Sequence, residues 1–567
     1  MAHAILSAER GRVSGEPAGA GDGLFQRLEH LNEIGAALSL EKNLATLLEK
    51  ILIAAKTITR ADGGTLYLIE GEGEAQQLRF EIVRTASLGV ALGGTTGNAI
   101  TFAPLPLYRE GRPNNSMVAA YAALTGRTVD IADAYTEAGF DFSGTRQFDQ
   151  RTGYRSKSFL TVPMKNHAGE LIGVLQLINC RDPGGGGIVP FAEADRRLAE
   201  SLASQAAIAI TNRQLIDQLE TLFESFITLI NEAIDEKSPY TGGHCQRVPS
   251  LTMLLAEAVN ETSEGPFASF AMTDKDRYEL RIAGLLHDCG KITTPVHIVD
   301  KATKLETIFD RIHLVDTRFE VLKRDAEIET LKAKLELARA QGLDEIALRE
   351  KRYRLDRELA ERLRRLDDDR EFLRRANVGG EAMSADDQER VRTIGRTYKW
   401  RDTSGATANF LSDDEIANLT IRSGTLTPEE REIINHHIVS TIKMLEALPW
   451  PKHLRNVPEY AGGHHERIDG KGYPRGLTRD QMSVQARVMG IADIFEALTA
   501  KDRPYKKGKT LTEALAILGK FSLNGHVDPD LFDVFVRQKV YLKYAQAFLD
   551  PEQIDEVDVT AIPGYKP

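Results

Sequence analysis

Apolar and polar positions repeat with several periods along the chain, and the changes of period mark out four stretches. Over residues 24–212 the texture is mixed. A helical period covers residues 24–59, and the run Gly64-Thr-Leu-Tyr-Leu-Ile69 predicts a strand. Two aliphatic and β-branched runs, residues 158–163 and 171–179, enclose a polar turn at residues 166–169 and predict a hairpin. Residues 184–187, all glycine, read as a flexible loop. A helix over residues 191–212 closes this α/β unit.

From Ala192 towards Ile234 the helical period continues without a break. Ile216, Leu219, Phe223, Phe226 and Ile230 follow one another at spacings of three, four, three and four, an a/d seam that Leu215, Leu222 and Leu229 widen. Such a seam packs either on its own domain or as a parallel two-helix stalk between protomers. Its place between two textures and its lack of a cap favour the stalk. The third texture, helical with punctuating His and Asp, runs over residues 239–300 and resumes near residue 399. Between its parts, residues 317–375 are rich in Glu, Arg, Leu and Ala at helical spacing and hold no His or Cys. Gln341-Gly342 would turn them into an antiparallel helical hairpin, acting as a solvated spacer rather than in catalysis.

Composition changes the picture little. The 567 residues are 42% hydrophobic and 27% charged, ordinary for a folded protein of several domains. Lys and Arg number 72 against 83 Asp and Glu, a net charge of −11 that argues against wrapping a nucleic-acid polymer. No window offers the ~18 apolar residues of a membrane span. Residues 1–23 read as a disordered leader without an apolar core, and a cytoplasmic location is expected. Cys180, Cys245 and Cys289 are too few for a disulfide framework.

Chemistry concentrates in the third texture. His287-Asp288 closes an apolar-periodic helix over residues 278–286. His244 follows a Gly-Gly turn, and His436-His437 lies on the amphipathic run 428–448. His464-His465 opens Gly463-His-His-Glu-Arg-Ile-Asp-Gly-Lys-Gly-Tyr-Pro474, and Asp493 interrupts an apolar helix. Carboxylates in apolar stripes must be paired or coordinated. Several imidazoles with two carboxylates can surround two divalent cations, one Asp bridging them, and prepare water for attack on a phosphodiester. Mixed N/O ligation without thiolate suits iron or manganese, with catalytic zinc as a third option. Lys291, one turn beyond His287, would add a cation for phosphate.

These stretches, Tyr240-Thr-Gly-Gly-His244, His287-Asp-Cys-Gly-Lys291, residues 464–474, and Ala492-Asp-Ile-Phe-Glu-Ala-Leu-Thr499 followed by Asp502-Arg-Pro-Tyr505, together resemble the HD-GYP family of bacterial phosphodiesterases, a branch of the HD metal-dependent phosphohydrolases. The resemblance implies an all-α domain over residues 237–546, interrupted by a charged helical insertion at about 301–422 and followed by a tail, 547–567. It implies two divalent transition metals on His244, His287, Asp288, His437, His464, His465 and Asp493, with Asp288 as bridge and catalytic centre beside Lys291. Cyclic di-GMP would be the substrate, hydrolysed to linear pGpG, GMP or both by metal-activated hydroxide attack on phosphorus. Lys291, Arg503, Lys506 and Tyr473 would contact it, and Gly472, Tyr473 and Pro474 would shape a loop that also serves partner contacts. The register places His437 rather than His436 at the site. Tyr240, where trimetallic members carry a carboxylate, favours two metals. The stretch from Asp493 to Arg503 is one residue longer than the common pattern. Cys245 and Cys289, next to proposed ligands, read as small core fillers.

Asp149-Gln-Arg-Thr-Gly-Tyr154, Lys157-Ser-Phe-Leu-Thr-Val-Pro-Met164 and residues 165–179 resemble the GAF units of cyclic-nucleotide phosphodiesterases, which implies an antiparallel sheet flanked by helices over residues 24–212. Asn179, Phe191 and Asp195 match the nucleotide-binding signature there, whereas Cys180 and Arg196 stand where a lysine and an acidic residue would complete it. A small-molecule sensor and a ligand-free dimerising domain both remain open. Residues 213–236 would then be a signalling coiled coil joining two protomers, and the insertion or the Gly-Tyr-Pro loop would receive protein partners. Two alternatives stand beside the regulated phosphodiesterase: a signalling scaffold with a degenerate site, and an HD enzyme acting on another cyclic nucleotide or dinucleotide.

Overall fold

The computed structural model of the chain describes residues 20–237, 243–339, 345–380, 382–501 and 508–566. Residues 1–19 of the expected leader, Tyr240, the Gln341-Gly342 turn, and Arg503 and Lys506 lie outside them. The chain divides into two compact units, with the boundary between Phe223 and Glu224.

In the first unit the helical period resolves into α1 (Ala20–Leu40) and α2 (Leu44–Thr59). The break is chemical: the Asn43 side chain accepts a hydrogen bond from the Thr46 amide and caps α2. An antiparallel sheet follows, built from β1 (Ala61–Glu70), β2 (Gln77–Thr85), β3 (Val90–Gly93), β7 (Val129–Ile131), β8 (Phe159–Lys165) and β9 (Leu171–Arg181) in the order β3-β2-β1-β9-β8-β7. The short β4 (Leu105–Pro106) adds to β2 and β10 (Ile188–Val189) to β9, so the glycines at 184–187 turn the chain back onto the sheet. A separate two-stranded ribbon joins β5 (Tyr108–Arg109) to β6 (Arg112–Pro113). The expected hairpin is β8–β9, closed at Asn166, whose amide donates to the Glu170 carbonyl.

β1 is buried on both faces. Leu66 and Leu68 face a core filled by Leu47, Ile51 and Leu52 of α2 and by Leu198, Leu202 and Ile210 of α5 (Glu193–Lys237). Tyr67 alternates to the other face and packs with Val174 and with Ala119, Ala120 and Ala123 of α3 (Val118–Thr125). Each such large side chain contributes roughly 1.5–3 kcal/mol by leaving water. α4 (Ser143–Thr152) brings Asp149 to accept from Tyr135 Oη and from the Ser156 amide, both at 2.8 Å.

α5 is one helix of 45 residues. Within the second unit, its end leads towards α6 (His244–Asn260), α7 (Asp274–Leu286) and the single turn α8 (Val296–Val299). The insertion follows. α9 (Ile312–Arg339) and α10 (Glu345–Asn377) are antiparallel, because the ion pairs Lys323–Asp367, Glu329–Arg362 and Lys334–Asp356 advance along one helix and retreat along the other. It is more than a solvated spacer: Phe319, Leu366 and Leu373 share a core with Val391 and Ile394 of α11 (Ala385–Thr397) and with Leu419 of α12 (Asp413–Leu419). Nor is it wholly helical. β11 (Lys399–Arg401) and β12 (Thr407–Asn409) pair around a turn in which the Asp402 carboxylate accepts from the amides of Ser404 and Ala406.

The remaining helices are α13 (Pro428–Glu446), α14 (Val457–Gly462), α15 (Val484–Thr499), α16 (Leu511–Leu523), α17 (Pro529–Arg537) and α18 (Val540–Phe548). The expected tail does not hang free. Gln553 Nε2 donates to the Thr499 carbonyl at 2.8 Å, and a side chain at Gly519 would meet the Pro563 carbonyl.

Candidate metal centre

The site forms where the C-terminus of α7, the first turn of α6, the middle of α13, the loop after α14 and the middle of α15 converge. Capping boxes at Thr273 and Thr427 fix where α7 and α13 begin, and so the turn on which each histidine falls. Gly290 then permits the approach of two elements. A Cβ there would lie 2.1 Å from the His437 carbonyl oxygen, and its amide donates to Thr441 Oγ1 at 2.9 Å. No other residue could follow Asp288 at that position and still let α13 deliver His437.

All seven residues expected as ligands lie together. Asp288 sits between two histidine groups. Its Oδ2 is 3.0 Å from His244 Nε2 and 3.3 Å from His287 Nε2, and its Oδ1 is 3.3 Å from His437 Nε2. Asp493 Oδ1 approaches His244 Nε2 at 3.5 Å. His437, His464 and His465 gather their ring nitrogens into one cluster, and His244, His287 and Asp288 form a second. His436 is exposed.

Three of the five imidazoles are held in one tautomer. His287, His437 and His464 each donate Nδ1–H to a backbone carbonyl three residues back, at 2.7, 2.6 and 2.6 Å. Each therefore turns an Nε2 lone pair inward. Across the site His244 Nε2 faces His287 Nε2 at 3.3 Å and His437 Nε2 faces His465 Nε2 at 3.2 Å. Asp288 Oδ1 and His464 Nε2 are buried without a hydrogen-bond partner. Converging lone pairs, orphaned acceptors and a donor set of nitrogen and oxygen without thiolate fit divalent transition ions.

Charge is arranged accordingly. Burial opposes ionisation of Asp288, but Lys291, His287 and His244 outweigh it and hold its carboxyl well below the usual range. Burial, aided by His287, lowers His464 to about 4, and burial with His464 and His437 pushes His465 well below its ordinary value, leaving both neutral. His244 goes the other way. Burial would lower it, yet Glu496 and Asp288 raise it to about 9.

Glu496 is a residue the sequence reading missed. It is buried one turn beyond Asp493, accepts from His244 Nδ1 at 2.6 Å and from Arg247 Nε at 2.7 Å, and is held at about 2 because those cations outweigh burial. Its signal was available: a second carboxylate at i+3 from Asp493 shares that helix face. Glu466 was also passed over. Its two oxygens accept from the amides of Arg475 and Leu477 at 2.7 and 2.9 Å and close the Gly-Tyr-Pro loop. Gly472 packs so closely against this segment that a Cβ would lie 2.3 Å from the Arg467 amide. Tyr473 precedes the cis bond to Pro474 and stacks on His465, ring centres 4.8 Å apart. Lys291 places Nζ 2.5 Å from Asp288 Oδ2. Cys245 and Cys289 are buried, and burial raises both thiols, Cys289 to about 11.

In the first unit the matched signature positions have structural partners. Asn179, at φ +59°, accepts from the Lys157 amide at 2.7 Å and donates to the Arg155 carbonyl at 2.9 Å. Asp195 is buried and bonds Arg27, Arg60 and the Ala192 amide.

Comparison with known proteins agrees with this division. The GAF domain family model matches residues 43–210, and two HD domain models match residues 241–371 and 376–531. A cyclic di-GMP phosphodiesterase of Pseudomonas aeruginosa is 39% identical over 116 residues, 20% of this chain and 27% of that protein. The 3'3'-cGAMP-specific phosphodiesterase 1 of Vibrio cholerae is 46% identical over 81 residues, 14% and 19% of the two chains. The 3'3'-cGAMP-specific phosphodiesterase 3 of the same organism is 24% identical over 313 residues, 55% and 38%. The matched stretches thus span between 19% and 38% of these relatives. Among the described residues no helix is long and apolar enough to cross a membrane. The chain thus joins a region that matches the GAF domain model to a helical region that matches HD domain models and is similar in part to cyclic di-GMP and 3'3'-cGAMP phosphodiesterases.

Proposed function

We propose that the chain is a GAF-regulated bimetallic phosphodiesterase that hydrolyses cyclic di-GMP to pGpG, GMP or both. The observation that carries this reading is the placement of Asp288, one carboxylate oxygen towards His244 and His287 and the other towards His437. One ion would be held by His244, His287, Asp288 and Asp493, the other by His437, His464, His465 and Asp288. Bound there, two divalent ions, iron, manganese or zinc, supply Lewis acidity towards water and the phosphodiester oxygens. Asp288, held ionised, would serve both, and His464 and His465, held neutral, would be ready to coordinate. Lys291 sets a cation beside the same carboxylate, where it can meet phosphate charge. Tyr473, half-buried against His465, offers a flat surface for a base at the rim. Arg503 and Lys506 are proposed as further substrate contacts.

The complete donor set speaks against a scaffold with a degenerate site. Two of the relatives named above are specific for 3'3'-cGAMP, so a different cyclic dinucleotide is the second reading. Regulation would pass through α5. Leu219, Phe226 and Leu229 are exposed on it, which suits a two-helix seam in a homodimer. At its end Lys237 Nζ donates to the carbonyls of Lys291 and Ile292, beside the His287-Asp288 turn. A small ligand of the GAF domain and protein partners at the Gly-Tyr-Pro loop are proposed as inputs to the same equilibrium.

The test is hydrolysis. Protein reconstituted anaerobically with iron or manganese should cleave cyclic di-GMP, and Asp288→Ala should lose at least a thousandfold in kcat. Cleavage of 3'3'-cGAMP alone would favour the second reading. No cleavage of either by fully metal-loaded protein would remove the enzymatic account.

A further inference from the structure

Two lysines enter the insertion side by side, both almost wholly buried, and they are treated differently. Lys301 Nζ is neutralised, at 2.7 and 2.8 Å from the two oxygens of Glu430 and 3.0 Å from Asn418 Oδ1. Lys304 Nζ donates only to the Leu419 carbonyl at 3.1 Å and to Met383 Sδ at 3.4 Å, with no carboxylate partner among the described residues. A buried ammonium without a counter-charge is costly, and burial draws Lys304 down to about 8.

Lys304 lines a cavity of about 310 Å³ between the end of α10, the start of α11 and Arg422. Three guanidinium groups share the lining: Arg375 and Arg422, exposed and without ion pairs among the described residues, and Arg390, which lies over the Phe372 ring at 4.2 Å and reaches Asp369. Among the described residues Asp387 is the one carboxylate in the lining, and its Oδ2 accepts from Ser384 Oγ at 2.8 Å. Among the described residues of the lining, four cations, one of them paired with Asp369, thus face one acid.

We propose that this cavity, at the root of the insertion, is a binding site for a small phosphorylated molecule of nucleotide-monophosphate size. Its volume is at the lower end for small-molecule sites. Guanidinium forks match phosphate oxygens in pairs, and the buried Lys304 gains from a dianion the counter-charge that no described residue supplies. The site is separate from the metal centre yet joined to its supports. Lys301, three residues from Lys304, pairs with Glu430 in the first turn of α13, the helix that carries His437, and its carbonyl accepts from Thr425 Oγ1 at 2.8 Å.

The test uses the full chain carrying Asp288→Ala, so that phosphate affinity of the metal centre does not contribute and the outcome is independent of the catalytic reading. Calorimetric titration with pyrophosphate and with GMP, against guanosine as the unphosphorylated control, should show saturable binding of at least one phosphorylated probe near one per chain. Adding Arg375→Gln with Arg422→Gln, both on the exposed rim and harmless to folding, should weaken it at least tenfold. Lys304→Met should do the same, with the thermal transition checked alongside. Binding of neither probe, equal binding of guanosine and GMP, or affinity within twofold of the parent in the rim variant would overturn the proposal.

Discussion

Replacing Glu496 by glutamine should change how the metal centre competes with protons. In the metal-free protein His244 is held at about 9 by Glu496 and Asp288 against the effect of burial. At pH 7 the first cation must displace that proton, a handicap of two pH units, about a hundredfold in affinity or about 2.7 kcal/mol. The direction follows from the sign: protonation competes below the pKa and ceases above it. Apparent affinity should therefore rise about tenfold per pH unit between 7 and 9 and level off beyond. His464 and His465, held low, add nothing in that window. Glu496→Gln keeps a hydrogen-bond acceptor for His244 Nδ1 but removes the charge. Losing such a partner typically costs 10–100-fold in metal affinity, about 1.4–2.7 kcal/mol. It also lowers the His244 pKa, so at pH 7 part of the loss is offset. The variant should bind manganese or zinc about 10–100-fold more weakly at pH 9, with a smaller deficit at pH 7 and a shallower slope between. Competition against a fluorescent chelator, run anaerobically across pH, measures both. A flat profile in the parent protein, or a variant within twofold of it at pH 9, would refute the reasoning.

Other perturbations probe other links. Leu219→Glu with Phe226→Glu removes two exposed apolar side chains from each helix of the proposed seam, each worth roughly 1.5–3 kcal/mol when buried; sedimentation should show a monomer where the parent is a dimer, and an unchanged mass would exclude that seam. Lys237→Met should change turnover without changing metal content, since Lys237 reaches the carbonyls beside Asp288 but none of the donors; unaltered kcat and KM would exclude it as a coupling contact. In the GAF unit Glu49 bonds Arg84 at 2.6 Å, and chiefly that bond, with Thr95, holds it at about 2. Because the folded pKa is depressed, its stabilisation is complete above the unfolded value of about 4.3 and fades as pH falls towards 2. Glu49→Gln should speed hydrogen exchange in β2 and β3 at pH 7, by about 1–3 kcal/mol of local stability, with the gap narrowing below about pH 4.3; a gap independent of pH would contradict this.

The sequence revealed most where period and motif coincide. The β8–β9 hairpin, the unbroken α5 and the meeting of His244, His287, Asp288, His437, His464, His465 and Asp493 could all be anticipated, because turn residues, a sustained helical period and donor residues in recognisable settings each leave a local mark. What stayed hidden depends on contacts distant in sequence. Glu496 sits on the same helix face as Asp493, but only the fold shows that His244, over two hundred residues earlier, meets it. The insertion looked like spacer because the α9 positions Ile312, Val315, Phe319 and Leu322 stand among charged residues, and the residues they pack with, from α10, α11, α12 and the segment after β12, are distant in sequence. The cap at Asn43 divided a period that otherwise ran on from α1 to α2. Lys304 gave no signal at all, since a lysine among charged residues looks solvated until its burial is seen.

The central claim is that Asp288 links two cations, and anomalous diffraction from crystals of the manganese- or iron-loaded protein tests it most directly. The account predicts two peaks per chain, roughly 3.5–4 Å apart, one bordered by His244, His287 and Asp493, the other by His437, His464 and His465, with Asp288 touching both. A single peak, or two that share no ligand, would contradict it.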